Sequence, residues 1–142
     1  MKAMAKQATK QATKRATRVL SASRRMVNFK AAKFEVYSLQ GRPQDDLAWH
    51  NLSYDDKTGQ GFFLIRFKAG GTSIPHEHLG YEEFVVLKGA IEDSDGTVYR
   101  TGDCVSLAPG SRHVSASASG AIVAVFVRGG FRTLTRGEKV DT

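Results

Sequence analysis

Residues 70–89, GGTSIPHEHLGYEEFVVLKG, decide the fold, and residues 102–117, GDCVSLAPGSRHVSAS, complete the pattern. His76 and His78 are two residues apart, so on an extended strand both imidazole rings project from one face and can bind a single ion. Glu82 follows after a glycine-containing turn that brings its carboxylate back beside the two imidazoles. The first stretch therefore predicts a strand, a turn and a second strand around a metal ion.

The second stretch supplies the third imidazole, because His113 follows a proline-glycine turn and begins a new strand. We expect four side chains to bind one divalent transition-metal ion: His76, His78, Glu82 and His113. Three neutral imidazoles and one carboxylate suit Fe(II), Mn(II), Ni(II), Cu(II) or Zn(II), whereas Mg(II) and Ca(II) prefer oxygen ligands. Four protein ligands on an octahedral ion leave two positions for substrate, dioxygen or water.

Outside these stretches, short apolar runs separated by turn residues predict β-strands from Phe34 onward. The predicted strands are Phe34 to Leu39, Leu47 to Leu52, Phe62 to Lys68, Glu82 to Leu87, Thr97 to Arg100, Cys104 to Leu107, His113 to Ala116 and Ala121 to Arg128. Eight strands at this spacing are typical of an all-β jelly-roll barrel. The predicted barrel interior consists of Phe63, Ile65, Phe67, Phe84, Val86, Ile122, Ala124 and Phe126, an apolar lining that suits a small hydrophobic or aromatic ligand.

Length and composition agree with one domain. The 142 residues, 15.5 kDa, suffice for one packed core. A single cysteine, Cys104, cannot form an internal disulfide, and no apolar segment near the N-terminus resembles a signal peptide. No run approaches 18 consecutive apolar residues, so we expect no membrane span. These features predict a cytoplasmic protein.

The net charge of +7 belongs to the N-terminal segment. Residues 1–33 contain ten Lys or Arg and no acid, and the remaining 11 basic and 14 acidic residues give a net charge of −3. Residues 6–18 repeat Lys-Gln-Ala-Thr with almost no large apolar side chain, which predicts a disordered extension. Three roles stay open: a solvated extension upstream of a true start at Met26, an organelle transit peptide, and a weak nonspecific anchor for nucleic acid or anionic surfaces.

The two histidine stretches resemble the paired motifs of cupins. The first matches G(x)5HxH(x)3-4E(x)6G from Gly70 to Gly89, and the second, G(x)5PxG(x)2H(x)3N, is matched by Gly102, Gly110 and His113. Ala108 stands at the proline position of the second motif, and Ser117 stands at its final asparagine. These departures leave the metal ligands intact.

The cupin resemblance implies a double-stranded β-helix, the cupin jelly-roll barrel, over residues 34–130, with residues 131–142 as a C-terminal tail. The sequence from Glu82 to Gly89 is similar to that of the ChrR-like branch of cupins. This branch includes both metal-binding sensor domains and dioxygenases. Cupins commonly pair through exposed strands, so the resemblance also implies a homodimer.

Three functions follow from this resemblance. The first is an Fe(II)-type dioxygenase that oxidises a small organic molecule. The second is a ChrR-like metal-binding sensor or regulatory module, although residues 1–33 lack the Cys and His of a zinc-binding anti-sigma domain. The third is a sugar isomerase or epimerase. The small-molecule substrate or ligand itself stays undefined.

Several side chains in or near the motifs allow more than one interpretation. Glu82 and Glu83 point to opposite faces of a strand, and the motif spacing to Gly89 favours Glu82 as the ligand. Tyr81 is a candidate hydrogen-bond donor beside the metal. His50 is expected to be an ordinary strand residue, and Cys104 a small buried side chain.

Overall fold

The computed structural model describes residues 17–21, 23–39 and 42–142. The chain divides into two compact units, residues 1–33 and residues 34–142. Much of the extension predicted to be disordered, including residues 1–16, lies outside the described residues. Among the described residues, no helix has the length and apolar character needed to cross a membrane.

The described part of the first unit is a β-hairpin. Strands β1 (Thr17–Ser21) and β2 (Arg24–Val27) pair antiparallel. A single 3-10 turn, Phe29–Ala31, follows, and the side chain of Asn28 caps it by accepting a 3.0 Å hydrogen bond from the amide of Lys30.

In the described residues of the second unit, the regular elements are all strands, which confirms the predicted all-β class. Strands β3 to β14 are, in order, Glu35–Leu39, Arg42–Asn51, Gln60–Phe67, Gly71–Thr72, His76–His78, Tyr81–Asp93, Val98–Arg100, Cys104–Leu107, Arg112–His113, Ser115–Ser117, Ala121–Arg128 and Phe131–Thr133. One large antiparallel sheet has the order β3-β4-β5-β13-β8-β12-β6, and β9 and β10 also pair with β8. A small sheet, β11-β7-β14, contains His76, His78 and His113.

Strand β8 connects the parts of this curled sheet. Its first half pairs with β10 and β13, and its second half pairs with β9 and β12. One long strand thereby places the candidate ligand Glu82 at one end of the barrel wall and Asp93 at the other end of the same strand.

Alternating side chains from the large sheet form the core, as the period of two requires. The core cluster comprises Tyr37, Leu47, Phe63, Ile65, Phe67, Phe84, Val86, Ile91, Ala121, Val123, Val125 and Val127. The inward direction predicted for β5 and for Phe84 and Val86 on β8 is therefore confirmed.

The interior face predicted for β13 was wrong. Val123 and Val125 are buried in the core, whereas Phe126 is 40% exposed on the opposite face. Both faces of this strand are apolar, so the period of two could not choose between them. The choice comes from pairing, because Val125 lies opposite Phe63 on β5 and opposite Phe84 on β8.

Two further features differ from the sequence analysis. Cys104 is exposed, so the prediction of a buried side chain was wrong. Its strand pairs at the outer side of β8, where alternation turns Val105 inward instead. The segment after residue 130, treated above as a tail, contributes strand β14 beside β7.

Candidate metal centre

Three histidine side chains meet at one end of the barrel. Strand β7 presents His76 and His78, and β11 pairs with β7 so that His113 lies opposite His76. The Nε2 atom of His113 is 2.8 Å from Nε2 of His78 and 3.0 Å from Nε2 of His76. All three rings are largely withdrawn from solvent, and His78 is only 1% exposed. The predicted convergence of these three imidazoles is observed.

The partners of the outer ring nitrogens determine the tautomers. Nδ1 of His76 lies 2.7 Å from the carbonyl oxygen of Ile74, which can only accept, so this nitrogen carries the proton. Nδ1 of His113 lies 3.1 Å from Oδ2 of Asp93 and donates in the same way. In the neutral rings, the Nε2 atoms of His76 and His113 therefore present lone pairs to the cluster.

The donor set fits a transition-metal ion. Lone pairs brought within 3.0 Å of one another repel unless a positive charge lies among them. Two imidazole nitrogens bound at about 2.1 Å would lie about 3.0 Å apart at right angles and about 3.4 Å apart in a tetrahedron. The observed separations of 2.8 and 3.0 Å are short enough for these nitrogens to share one ion.

Electrostatics keep two of the rings ready to bind metal. Burial, reinforced by the charge of His113, lowers the pKa of His76 to about 4. Burial, with the neighbouring His76 and His113, lowers the pKa of His78 to about 3. Burial also acts to lower the pKa of His113, but the hydrogen bond and charge of Asp93 outweigh it and raise that pKa. At neutral pH, His76 and His78 are therefore neutral, as metal ligation requires.

Glu82 lies beside the cluster and faces a different ring nitrogen. Its Oε2 atom is 3.7 Å from Nδ1 of His78, the buried ring nitrogen that has no hydrogen-bond partner. Burial raises the pKa of Glu82 to about 7. The three histidines group within 4.8 Å without this carboxylate, so Glu82 as a fourth ligand stays a prediction. Glu83 points outward and pairs with Arg128 at 2.7 Å.

Charged residues on the outer face hold the histidine strands together. Glu77, between the two histidines of β7, accepts hydrogen bonds from Arg112 on β11 and Arg132 on β14. Glu138 in turn binds the guanidinium of Arg132 with both carboxylate oxygens, at 2.9 and 2.7 Å. These bonds tie together the three strands of the small sheet.

An apolar cavity adjoins the three histidines inside the barrel. Its walls include Tyr37, Phe63, Ile65, Phe84, Val125 and Phe131, and His76, Glu82 and His113 also line it. Its volume is about 70 Å³. Its lining contains no lysine or arginine, and its further polar side chains are Gln44, Ser73, Ser115 and Thr133.

Other candidates from the sequence lie elsewhere. The Tyr81 side chain is 44% exposed, and the guanidinium of Arg128 lies 4.8 Å from its ring centroid. His50 is absent from the residues that line the cavity. Sequence reasoning missed Tyr37 and Asp93. Asp93 opens the stretch Asp-Ser-Asp-Gly, whose residue types are typical of a turn, and no local signal separates it from the three residues that follow.

A curled antiparallel barrel with a histidine cluster at its inner cavity is the architecture of a cupin. The model of the family described as ChrR Cupin-like domain matches residues 25–131. The chain therefore belongs to this family, and the resemblance inferred from the two motifs is confirmed. The search of curated protein sequences found no match.

Several solved structures share the fold. The acetylacetone dioxygenase from Acinetobacter johnsonii has a TM-score of 0.69 at 14% identity, covering 88% of this chain and 86% of that chain. The polyketide cyclase RemF from Streptomyces resistomycificus has a TM-score of 0.62 at 16% identity, covering 80% and 87%. The Rhodobacter sphaeroides SigE complex with the anti-sigma ChrR has a TM-score of 0.57 at 16% identity, covering 71% and 51%. At such identities the likeness concerns the fold alone.

Proposed function

We propose that this protein is a metal-dependent oxygenase of the non-haem Fe(II) type that acts on a small apolar organic molecule. The observation that carries the proposal is the position of the three Nε2 atoms, which converge beside an apolar cavity. His76, His78 and His113 would hold the ion, and Glu82 would complete the ligand set. A ligand in the cavity would lie directly beside the ion.

The cavity supports a small, largely uncharged substrate. Its volume of about 70 Å³ leaves room for a small molecule beside the histidines. Its aromatic and aliphatic walls exclude bulk water and favour apolar ligands. A sugar phosphate would find no lysine or arginine among the lining residues, which disfavours sugar isomerisation.

The chain's own residues prepare this chemistry. When bound, a divalent metal would act as a Lewis acid and as the meeting point of substrate and dioxygen. The hydrogen bond from His76 to Ile74 holds that ring with its Nε2 toward the site. Burial, together with the charge of Glu82, raises the pKa of Tyr37, so its hydroxyl stays protonated and can donate to an oxygen atom of the substrate.

The first test is metal content. Protein purified without a histidine tag should contain close to one equivalent of transition metal, and His76→Ala should lose it. Glu82→Gln should bind metal more weakly, whereas Glu83→Gln, the matched control on the opposite face, should match the wild type. Full metal content in Glu82→Gln together with loss in Glu83→Gln would show that the ligand assignment is off by one residue.

The second test is reactivity. The Fe(II) form, prepared without oxygen, should bind nitric oxide at the iron and should consume oxygen when small diketones or organic acids are supplied. Oxygen uptake that persists in His113→Ala would exclude this metal centre as the site of reaction.

A metal-binding sensor or regulatory module is the second candidate. The family match to the ChrR Cupin-like domain favours it, because the SigE complex contains a structurally similar chain, the anti-sigma ChrR. Metal that binds stoichiometrically but leaves no position for nitric oxide would support this role over the oxygenase.

A further inference from the structure

A buried carboxylate stands behind one of the three histidines. Asp93 is only 7% exposed, at the end of β8. Its Oδ2 atom lies 3.1 Å from Nδ1 of His113, on the side of the ring opposite the cluster. The carboxylate therefore touches a candidate ligand without belonging to the three-histidine group itself.

Two hydroxyl groups hold Asp93 in place. Ser115 donates to Oδ1 at 2.6 Å, and the Tyr99 hydroxyl donates to Oδ2 at 3.2 Å. Ser115 lies directly opposite Asp93 in the antiparallel pair of β12 and β8, and Tyr99 reaches it from β9. With the imidazole N–H, three donors surround an acceptor group, which is the environment of an ionised carboxylate.

The consequence for His113 is geometric. An ionised carboxylate can only accept, so it fixes the proton of His113 on Nδ1 and leaves the lone pair on Nε2. The same hydrogen bond sets the orientation of the ring, since Asp93 is itself held by two neighbours. A histidine binds metal more tightly when its other ring nitrogen donates a hydrogen bond to such a partner. Loss of the partner typically weakens metal binding about 10- to 100-fold.

We propose that Asp93, held by Ser115 and Tyr99, is the positioning residue that orients His113 for metal binding. This inference rests on the proposed metal centre. The carboxylate of Asp93 also places a negative charge against His113, which would offset part of the positive charge of a bound ion. Its role is distinct from that of Glu82, which lines the cavity and lies 3.7 Å from Nδ1 of His78.

The test compares metal affinity in matched variants of the full chain. Dissociation constants for Co(II) and Zn(II) are measured by competition with a chelator, and the visible absorption bands of the Co(II) form are recorded. Asp93→Asn should raise the dissociation constants about 10- to 100-fold and change the Co(II) bands. Glu92→Gln, at the adjacent exposed position, should stay within about twofold of the wild type.

A second readout reports the tautomer directly. Two-dimensional nitrogen NMR of the metal-free protein, at a pH where the imidazole is neutral, should show the His113 proton on Nδ1 in the wild type and a shift toward the Nε2–H form in Asp93→Asn. If Asp93→Asn fails to fold, Tyr99→Phe and Ser115→Ala replace it, because both keep the carboxylate. Tyr99→Phe removes one hydrogen bond to Asp93. Ser115→Ala also removes one, together with a 3.4 Å contact between its Oγ and Nδ1 of His113. Each of these variants should weaken metal binding several-fold.

The outcomes separate this inference from the proposed function. A wild type that binds no metal would overturn both. A wild type that binds metal, with His76→Ala losing it and a folded Asp93→Asn retaining wild-type affinity and spectrum, would overturn the role of Asp93 and leave the metal centre standing. Unchanged affinity in both Ser115→Ala and Tyr99→Phe would count against it in the same way.

Discussion

The turn between His78 and Glu82 should not tolerate a single methyl group at Gly80. A Cβ atom at this position would lie 1.5 Å from the carbonyl oxygen of Arg128, whereas real Cβ contacts essentially never fall below 3.0 Å. The obstacle is backbone on the neighbouring strand, so no side-chain rotation relieves it. The amide of Leu79 donates to the carbonyl of Gly130 nearby, at 3.1 Å, and separating the two segments would strain this bond.

These contacts determine how much Gly80→Ala should lower the free energy of unfolding. Overpacking costs about 1–3 kcal/mol, and a weakened hydrogen bond adds about 1 kcal/mol. We therefore expect a loss of about 2–4 kcal/mol in the free energy of unfolding, which lowers the Tm by roughly 10 °C or more. Because the turn also sets the position of Glu82 relative to His78, Gly80→Ala should lower the metal affinity as well as the stability.

The assay is thermal and urea unfolding by circular dichroism, with metal titration of the same samples. Gly102→Ala is the control, because a Cβ there meets nothing within 4 Å and its φ of +95° leaves only conformational strain, about 1–2 kcal/mol. This control should keep wild-type metal affinity. A Gly80→Ala variant as stable as Gly102→Ala, with unchanged metal binding, would refute the steric reasoning.

Three further predictions concern the core, acid stability and metal removal. Val86→Ala should lower the free energy of unfolding by about 2 kcal/mol in urea titrations, since the side chain is 1% exposed. Val36→Ala, at a 58% exposed position, should change the free energy of unfolding by less than about 0.5 kcal/mol. Equal effects of the two substitutions would contradict the assignment of Val86 to the core. Hydrogen bonds from Arg112 to Glu77 and from Arg132 to Glu138 lower the pKa of each carboxylate, so their stabilisation is present above the unfolded pKa of about 4.3 and is lost as the pH falls below it. Glu77→Gln should flatten the decline of Tm between about pH 5 and pH 3, and an unchanged slope would argue against the ion network. A free metal concentration 100-fold above the dissociation constant should stabilise the wild type by about 2.7 kcal/mol, a gain that chelator removes and that His76→Ala should lack.

Much of the candidate site could be predicted because its signals are local. The two-residue spacing of His76 and His78 places both rings on one face of any strand, whatever the rest of the chain does. The proline-glycine turn before His113 likewise starts a strand at the third imidazole. The two motifs also resemble those of cupins, and the family match over residues 25–131 confirms this resemblance.

The errors and omissions involve positions with no local signal. Phe126 and Val125 are equally apolar, and the period of two ranks them alike. Cys104 was expected inside because small apolar side chains usually are, but its register on β8 turns it outward. Asp93 opens a stretch of turn-type residues, but its partners His113 and Ser115 lie 20 and 22 residues further along the chain.

By itself the sequence determined the all-β class, the family and the three imidazoles, because these depend on residue type and on spacings of a few positions. Only the tertiary structure decided which face of β13 enters the core, which ring nitrogens meet, and which carboxylate stands behind His113. The physical reason is strand register. Pairing between distant strands sets which side chains become neighbours, and hydrogen bonds such as the one from His113 to Asp93 form only after that register is established.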